Sequence, residues 1–180
     1  MRVLGLDPGS RRTGYGVVER HGNRFTCVKH GTVAPAGGLD LAHRLHAIAV
    51  QIEALVAEVR PDVVAVEEAF YHENVRSTLV LGHVRGVLLV AAVRHDCAVA
   101  EYTPREIKLS VAGRGGATKD QVSFMVRRLL DVRGELAVDA GDALATALCH
   151  LQRARLTPPA RAASVAARRL EALLTSRGTR

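Results

Sequence analysis

Aromatic residues, cysteines and long apolar runs are all scarce in this sequence. There is no tryptophan, and only three Phe and three Tyr occur among 180 residues. The three cysteines, Cys27, Cys97 and Cys149, are odd in number and widely spaced in apolar context, which favours buried thiols over a disulfide framework or a zinc site. No stretch approaches the length of a membrane span, and the first apolar run is too short for a signal peptide. We therefore expect a cytoplasmic protein with no membrane partner.

Acidic residues are also scarce, but only near the C-terminus. Residues 1–150 hold 18 Lys and Arg against 17 Asp and Glu, whereas residues 151–180 hold seven Arg against Glu171 alone. With Pro158 and Pro159 as a boundary, we predict one domain over residues 1–156 and a basic tail over 157–180, either flexible or a short helix. A basic tail suggests a polyanionic partner, although a merely solubilising tail is the alternative.

Turn residues and apolar periodicity divide the domain into alternating elements. They predict a first hairpin whose turn includes Asp7-Pro8-Gly9, a third strand over 24–34, and parallel strands over 62–68 and 97–102. Helices are predicted over residues 40–60, 74–94, 104–111, 118–130 and 138–155. This order predicts an α/β fold of the ribonuclease H-like kind, with a mixed five-stranded sheet of three antiparallel and then two parallel strands, and helices on both faces.

The second helix carries two glycines four residues apart. Gly82 and Gly86 weaken a helix by roughly 1 kcal/mol each relative to alanine. Small residues at this spacing allow another backbone to approach closely. We therefore expect a close-packing face here, directed either at the sheet or at a second subunit.

Four acidic residues stand in contexts that suggest one site. Asp7 follows the first apolar run, Glu67 closes the fourth strand, and Asp139 and Asp142 share one face of the last helix. Three of them have ordinary alternatives: Asp7 can cap its turn, Glu67 can be a solvated strand end, and Asp139 can be a first-turn acid or an N-cap. If the fold brings them together, protons or divalent cations must lie between them. Carboxylates without His or Cys favour Mg²⁺ or Mn²⁺, and two such ions form a phosphodiester hydrolysis site.

At these residues the sequence resembles the RuvC family of Holliday junction resolvases. The resemblance lies in LGLDPGSRRTGYG (4–16), VEEAF (66–70), LGHVRGV (81–87), KDQV (119–122) with MV (125–126), and DAGDALA (139–145). It implies a homodimeric, Mg²⁺-dependent crossover junction endodeoxyribonuclease that binds four-way DNA junctions and nicks two strands of like polarity. It also implies the branch-migration proteins RuvA and RuvB as partners.

The resemblance assigns roles to particular residues. It places Asp7, Glu67, Asp139 and Asp142 on the family's metal-binding carboxylates, which are also its catalytic residues. Phe70 falls on an aromatic residue that stacks on a base, Lys108 and Lys119 fall on basic residues near the DNA backbone, and the helix with Gly82 and Gly86 falls on the dimer contact. Glu68 is an additional acid beside Glu67; adjacent strand residues face opposite sides, so we expect Glu67 to be the ligand.

Further basic residues stand near the predicted acid cluster, in turns or at helix starts. Arg11, Arg12, Arg76 and Arg114 could neutralise phosphates, as could Lys108 and Lys119, or some could be ordinary surface charge.

Two other classes of function stay open on the sequence alone. One is a nucleotide-binding protein of the actin and sugar-kinase group, whose phosphate turn resembles Asp7-Pro8-Gly9, although 180 residues leave no room for a second lobe. Thermal stabilisation by ATP would favour it. The other is a junction-binding protein without catalysis, which the loss of a core acid would favour; all four acids are present.

Overall fold

The protein is described from a computed structural model, which describes residues 1–68 and 74–154. Five strands and five helices follow one another in these ranges. They are β1 Arg2–Asp7, β2 Thr13–His21, β3 Arg24–Val33, α1 Leu41–Val59, β4 Val63–Glu67, α2 Val75–Arg94, β5 Ala98–Tyr102, α3 Pro104–Ala112, α4 Lys119–Leu130 and α5 Val138–Arg153. The predicted basic tail lies outside the described residues.

The strands form a single mixed sheet in the order β3-β2-β1-β4-β5. β1, β2 and β3 pair antiparallel, while β4 pairs parallel to β1 on one side and to β5 on the other. The predicted fold class is therefore confirmed. This strand order also makes β1 and β4 direct neighbours, so their carboxyl ends lie at the same edge of the sheet.

Helices cover both faces of the sheet, and alternate residues of β1 point to different layers. Leu4 and Leu6 are fully buried on the face covered by α1 and α2. Val3 is buried on the opposite face, where α5 packs with Leu144 and Leu148. Burying each such side chain contributes roughly 1.5–3 kcal/mol relative to exposure. Helix α5 therefore packs on the face of the sheet to which the odd-numbered residues of β1 point, and Asp7 is one of these residues.

The helix boundaries follow their capping residues. The Asp40 side chain accepts a 2.9 Å hydrogen bond from the His43 N–H, which makes it the N-cap of α1 as predicted. Thr103 and Thr118 begin α3 and α4, each in a capping box completed three residues later. These caps fix the start of the two short helices that lie beside α5.

The face of α2 that carries its glycines is open. A Cβ atom on Gly82 or Gly86 would meet nothing within 4 Å, so neither glycine packs against the sheet. By length and composition alone α2 could cross a bilayer, although the sequence was expected to contain no such segment. Its buried residues Val84 and Leu88 pack in the layer between α1 and the sheet, and its Arg85 pairs with Glu101 of β5. These contacts account for only part of its apolar composition, because most of the helix is not buried.

Candidate active site

Two carboxylates stand side by side at the carboxyl edge of the sheet. Asp7 is the last residue of β1 and Glu67 the last residue of β4. The parallel register sets Leu6 opposite Val66, and Asp7 and Glu67 follow one position further on. Neighbouring strands lie about 4.8 Å apart. The strand pairing alone therefore brings the two carboxylates close together.

Helix α5 lies directly on these strands because glycines leave room for its backbone. A Cβ atom on Gly5 would lie 2.0 Å from the Ala143 carbonyl oxygen, and one on Gly14 would lie 2.0 Å from that of Asp139. Gly14 is also the register partner of Asp7 on β2. The start of α5 is consequently held against the strand ends, which brings Asp139 and Asp142 to Asp7.

The pKa values of the acids reflect this crowding. Burial, and then the charges of Glu67, Asp142 and Asp139, raise the pKa of Asp7 to about 7. Burial and the Asp142 charge raise the pKa of Glu67 to about 7, against the opposing effect of nearby lysines. Burial also raises the pKa of Asp142. Because the four carboxylates lie close together, ionising all of them is unfavourable, and a bound cation would reduce this cost.

Two lysines face the acidic cluster, and both were expected there. Lys119, the first residue of α4, places its Nζ 3.4 Å from Oδ2 of Asp142, and this contact raises the pKa of the lysine. The charge of Lys108 on α3 opposes the rise that burial causes in the pKa values of Glu67 and Asp142. The Lys119 side chain is 77% exposed, so it can leave Asp142 without disturbing the core.

The donor chemistry of the cluster fits a divalent cation. All four side chains offer hard carboxylate oxygens, the ligands preferred by Mg²⁺ and Mn²⁺. In the described parts of the chain no three Asp, Glu, His or Cys side chains lie close enough together to hold one metal ion. Mutual repulsion of the carboxylates favours such a separation.

The structure shows where Asp139 and Asp7 lie relative to the caps and turns that were their alternative roles. Asp139 lies in the first turn of α5, but the N-cap is Ala137, which makes no side-chain cap. Asp7 ends a strand opposite Gly14 instead of lying in the turn beyond it. Both positions leave the carboxylates available to the cluster.

The remaining basic residues occupy exposed positions around this edge. Arg11 and Arg12 are exposed in the turn after β1, and Arg76 is exposed at the start of α2. Arg114 donates a 2.6 Å hydrogen bond to Oε1 of Gln121. Their contact with DNA stays a prediction, and Phe70 lies outside the described residues.

The sequence interpretation missed two features of the site. One is the role of Gly5 and Gly14; small residues on β1 and β2, with the Ala- and Gly-rich start of α5, were the available signal. The other is a hydrogen bond between Tyr102 of β5 and His150 of α5, 2.7 Å from Oη to Nδ1. No sequence pattern indicated this hydrogen bond, because the two residues are 48 positions apart.

Comparison with known proteins gives one family. The family model described as crossover junction endodeoxyribonuclease RuvC matches residues 3–150. The chain belongs to the RuvC family. RuvC enzymes are metal-dependent nucleases, so the protein is a hydrolase of this class, and the actin-like and non-catalytic alternatives are set aside.

Individual RuvC proteins are similar over most of their length. The RuvC of Pelobacter propionicus is 48% identical over 151 residues, which cover 84% of this chain and 86% of the relative. The RuvC of an Anaeromyxobacter species is 48% identical over 167 residues, covering 93% of this chain and 89% of that protein. The structure of Thermus thermophilus RuvC in complex with a Holliday junction substrate superposes with a TM-score of 0.81 at 32% identity, covering 87% of this chain and 96% of the other.

Proposed function

We propose that this protein resolves Holliday junctions by hydrolysing one phosphodiester in each of two strands of like polarity, with Asp7, Glu67, Asp139 and Asp142 as its metal-binding and catalytic residues. The observation that carries the proposal is the convergence of two strand ends and one helix start, which raises the pKa values of Asp7 and Glu67 to about 7. The junction bound by the T. thermophilus relative supports the choice of substrate.

Mg²⁺ is the metal we propose, with Mn²⁺ able to substitute. An all-carboxylate donor set without His or Cys favours these hard cations. Two such ions, when bound, would polarise the scissile phosphate and stabilise the attacking and leaving oxygens. Asp7 and Glu67 would hold them from the sheet, and Asp139 and Asp142 from α5.

The basic residues would position the DNA around the cluster. Lys119 is exposed and already faces Asp142, so it can exchange this carboxylate for a phosphate once cations neutralise the acids. Lys108 would support the phosphate beside the scissile bond. Arg11, Arg12, Arg76 and Arg114 would contact phosphates further away, and Phe70 would stack on an unpaired base near the crossover.

The open face of α2 would form a homodimer. Leu79, Val90 and Val93 are 61%, 58% and 63% exposed on this helix, and Gly82 and Gly86 leave space beside them. An exposed apolar stripe of this kind is typical of an interaction site. A two-fold dimer would present two acidic clusters to a two-fold junction, one for each nick.

The cellular setting follows from the family resemblance. We propose that the enzyme acts in the cytoplasm during recombination and repair, on junctions moved by RuvA and RuvB. The basic tail over 157–180 would add affinity for the arms of the junction.

The direct test is a comparison between a synthetic four-way junction and a linear duplex of the same sequence. We expect Mg²⁺-dependent, paired nicks in the junction, no cleavage in EDTA, and little cleavage of the duplex. Equal cleavage of the two substrates would contradict a structure-specific resolvase.

A further inference from the structure

The end of β5 is bound to the end of β4 at the catalytic Glu67. Glu67 pairs in register with Tyr102, the last residue of β5. The Glu68 N–H then donates a 2.9 Å hydrogen bond to the Tyr102 carbonyl oxygen. The backbone on either side of Glu67 is thus fixed to the backbone of Tyr102, and a displacement of Tyr102 would move Glu67.

The side chain of Tyr102 is in turn fixed to α5. Its hydroxyl lies 2.7 Å from Nδ1 of His150, and the two rings meet edge to face with centroids 5.9 Å apart. The Arg153 guanidinium lies 5.5 Å from the centre of the tyrosine ring and also pairs with Glu106 of α3 at 2.9 Å. We call the hydrogen-bonded pair of Tyr102 and His150 the Tyr–His clamp.

The clamp joins α5, which supplies Asp139 and Asp142, to β5, the neighbour of the strand that supplies Glu67. His150 stands two helical turns after Asp142 on α5, a distance of about 12 Å along the helix axis. Tyr102 stands beside Glu67 on the sheet. The clamp therefore connects the strand edge that carries Glu67 to the helix that carries Asp142, at a point outside the acidic cluster.

Simple packing does not account for this polar pair. In the described part of the chain, Nε2 of His150 is buried without a hydrogen-bond partner. A buried unpaired nitrogen costs roughly 1–3 kcal/mol, so an apolar pair of similar shape would leave the fold about as stable or more stable. A hydrogen bond, unlike an apolar contact, fixes both distance and orientation.

We propose that Tyr102 and His150 are positioning residues, whose hydrogen bond holds the strand edge that carries Glu67 against the helix that carries Asp142, so that the two carboxylates can bind divalent cations together. The inference rests on the proposed function, because it assumes that both carboxylates bind metal. It predicts that loss of the hydrogen bond weakens metal binding even when the fold is intact.

The test titrates Mn²⁺ alone into the metal-free protein by calorimetry, without DNA. Tyr102→Phe removes one hydroxyl and keeps the ring. Replacing residues that orient metal ligands directly costs 10–100-fold in affinity, and the clamp is one step further away, so we expect a loss of about 3- to 10-fold. His150→Leu should behave alike, whereas His150→Gln, which keeps an acceptor for the hydroxyl, should bind Mn²⁺ nearly as wild type does.

Ser110→Ala is the matched control. Ser110 of α3 donates a 2.7 Å hydrogen bond to Gln152, at the same end of α5, and this bond joins α5 to α3 instead of to β5. We expect a similar fall in melting temperature and unchanged Mn²⁺ affinity. An equal loss of affinity in Ser110→Ala would overturn the proposal, because any loosening of α5 would then suffice.

A double variant separates positioning from stability. Tyr102→Phe combined with His150→Leu removes the unpaired nitrogen, so the melting temperature should recover while Mn²⁺ affinity stays low. Recovery of both, or wild-type affinity in Tyr102→Phe, would show that the clamp is structural only. Failure of the wild-type protein to bind Mn²⁺ or to cleave junctions would instead refute the proposed function.

Discussion

The crowding of the carboxylates predicts that Asp7, a proposed catalytic residue, destabilises the metal-free protein. At pH 8 the pKa of Asp7, raised from 3.8 to about 7, makes its ionised form unfavourable in the folded state. That change corresponds to about 4 kcal/mol at 1.36 kcal/mol per pH unit. Asn is neutral but still buried, so we expect Asp7→Asn to recover about half of this, or about 2 kcal/mol. For a protein of this size the melting temperature should rise by about 4–8 °C.

The sign of the pH dependence follows from the raised pKa. Between about pH 4 and pH 7 the folded protein holds a proton on Asp7 that the unfolded chain releases. Unfolding therefore releases a proton, and the stability of the wild type falls as the pH rises through this window and levels off above it. The advantage of Asp7→Asn should be greatest at pH 8 and nearly vanish at pH 4.

The assay is thermal unfolding in EDTA at both pH values, with Asp120→Asn as control. Asp120 is an exposed acid in the first turn of α4, where negative charge favours the helix, so its loss should lower stability by about 0.3–1 kcal/mol. Added Mg²⁺ should stabilise the wild type more than Asp7→Asn. An Asp7→Asn variant less stable than wild type in EDTA at pH 8, or an effect independent of pH, would refute the argument.

Three further predictions concern other parts of the chain. Gly86→Leu should fold, since its side chain meets open space, but should be monomeric by sedimentation and should nick cruciform plasmids to open circles; a dimer giving linear product would place the interface elsewhere. Deletion of residues 157–180 should flatten the dependence of log K on log salt by about 0.9 for each phosphate that the tail neutralises, and an unchanged slope would mean that the tail does not touch DNA. Gly5→Ala should lower the free energy of unfolding by at least about 3 kcal/mol in chemical denaturation, because its Cβ would lie 2.0 Å from the Ala143 carbonyl oxygen. The control Gly37→Ala, whose Cβ would meet nothing within 4 Å, should be nearly neutral. Similar stabilities of the two variants would mean that α5 can move away from the sheet without cost.

Local patterns were sufficient to predict the fold. Short turns between apolar runs indicated the antiparallel strands, and the alternation of strand and helix after residue 60 indicated the parallel ones. The N-cap at Asp40 could be identified because capping depends on residues three positions apart. Each of these signals depends on neighbours in the sequence.

The four acids of the candidate site could be predicted from the sequence, but the packing contacts that hold them together could not. Asp7 and Glu67 stood out because a charge beside an apolar strand is costly unless it is paired or binds a metal, and the spacing of Asp139 and Asp142 is visible on one helix. The need for glycine at position 5 depends on the Ala143 carbonyl, and the clamp depends on packing between β5 and α5. Such contacts are set by tertiary packing, which the linear pattern does not contain.

The central claim is that four carboxylates form one metal-dependent site for junction cleavage. The most direct measurement is single-turnover cleavage of a labelled four-way junction by Asp7→Asn, Glu67→Gln, Asp139→Asn and Asp142→Asn, alongside junction binding in EDTA. We expect each variant to bind at least as tightly as the wild type and to cleave more slowly by a factor of roughly 100 or more, the scale on which removing one transition-state interaction slows an enzyme. The control Glu68→Gln should cleave at nearly the wild-type rate. Cleavage near the wild-type rate in any of the four, with Mg²⁺ present, would contradict the account.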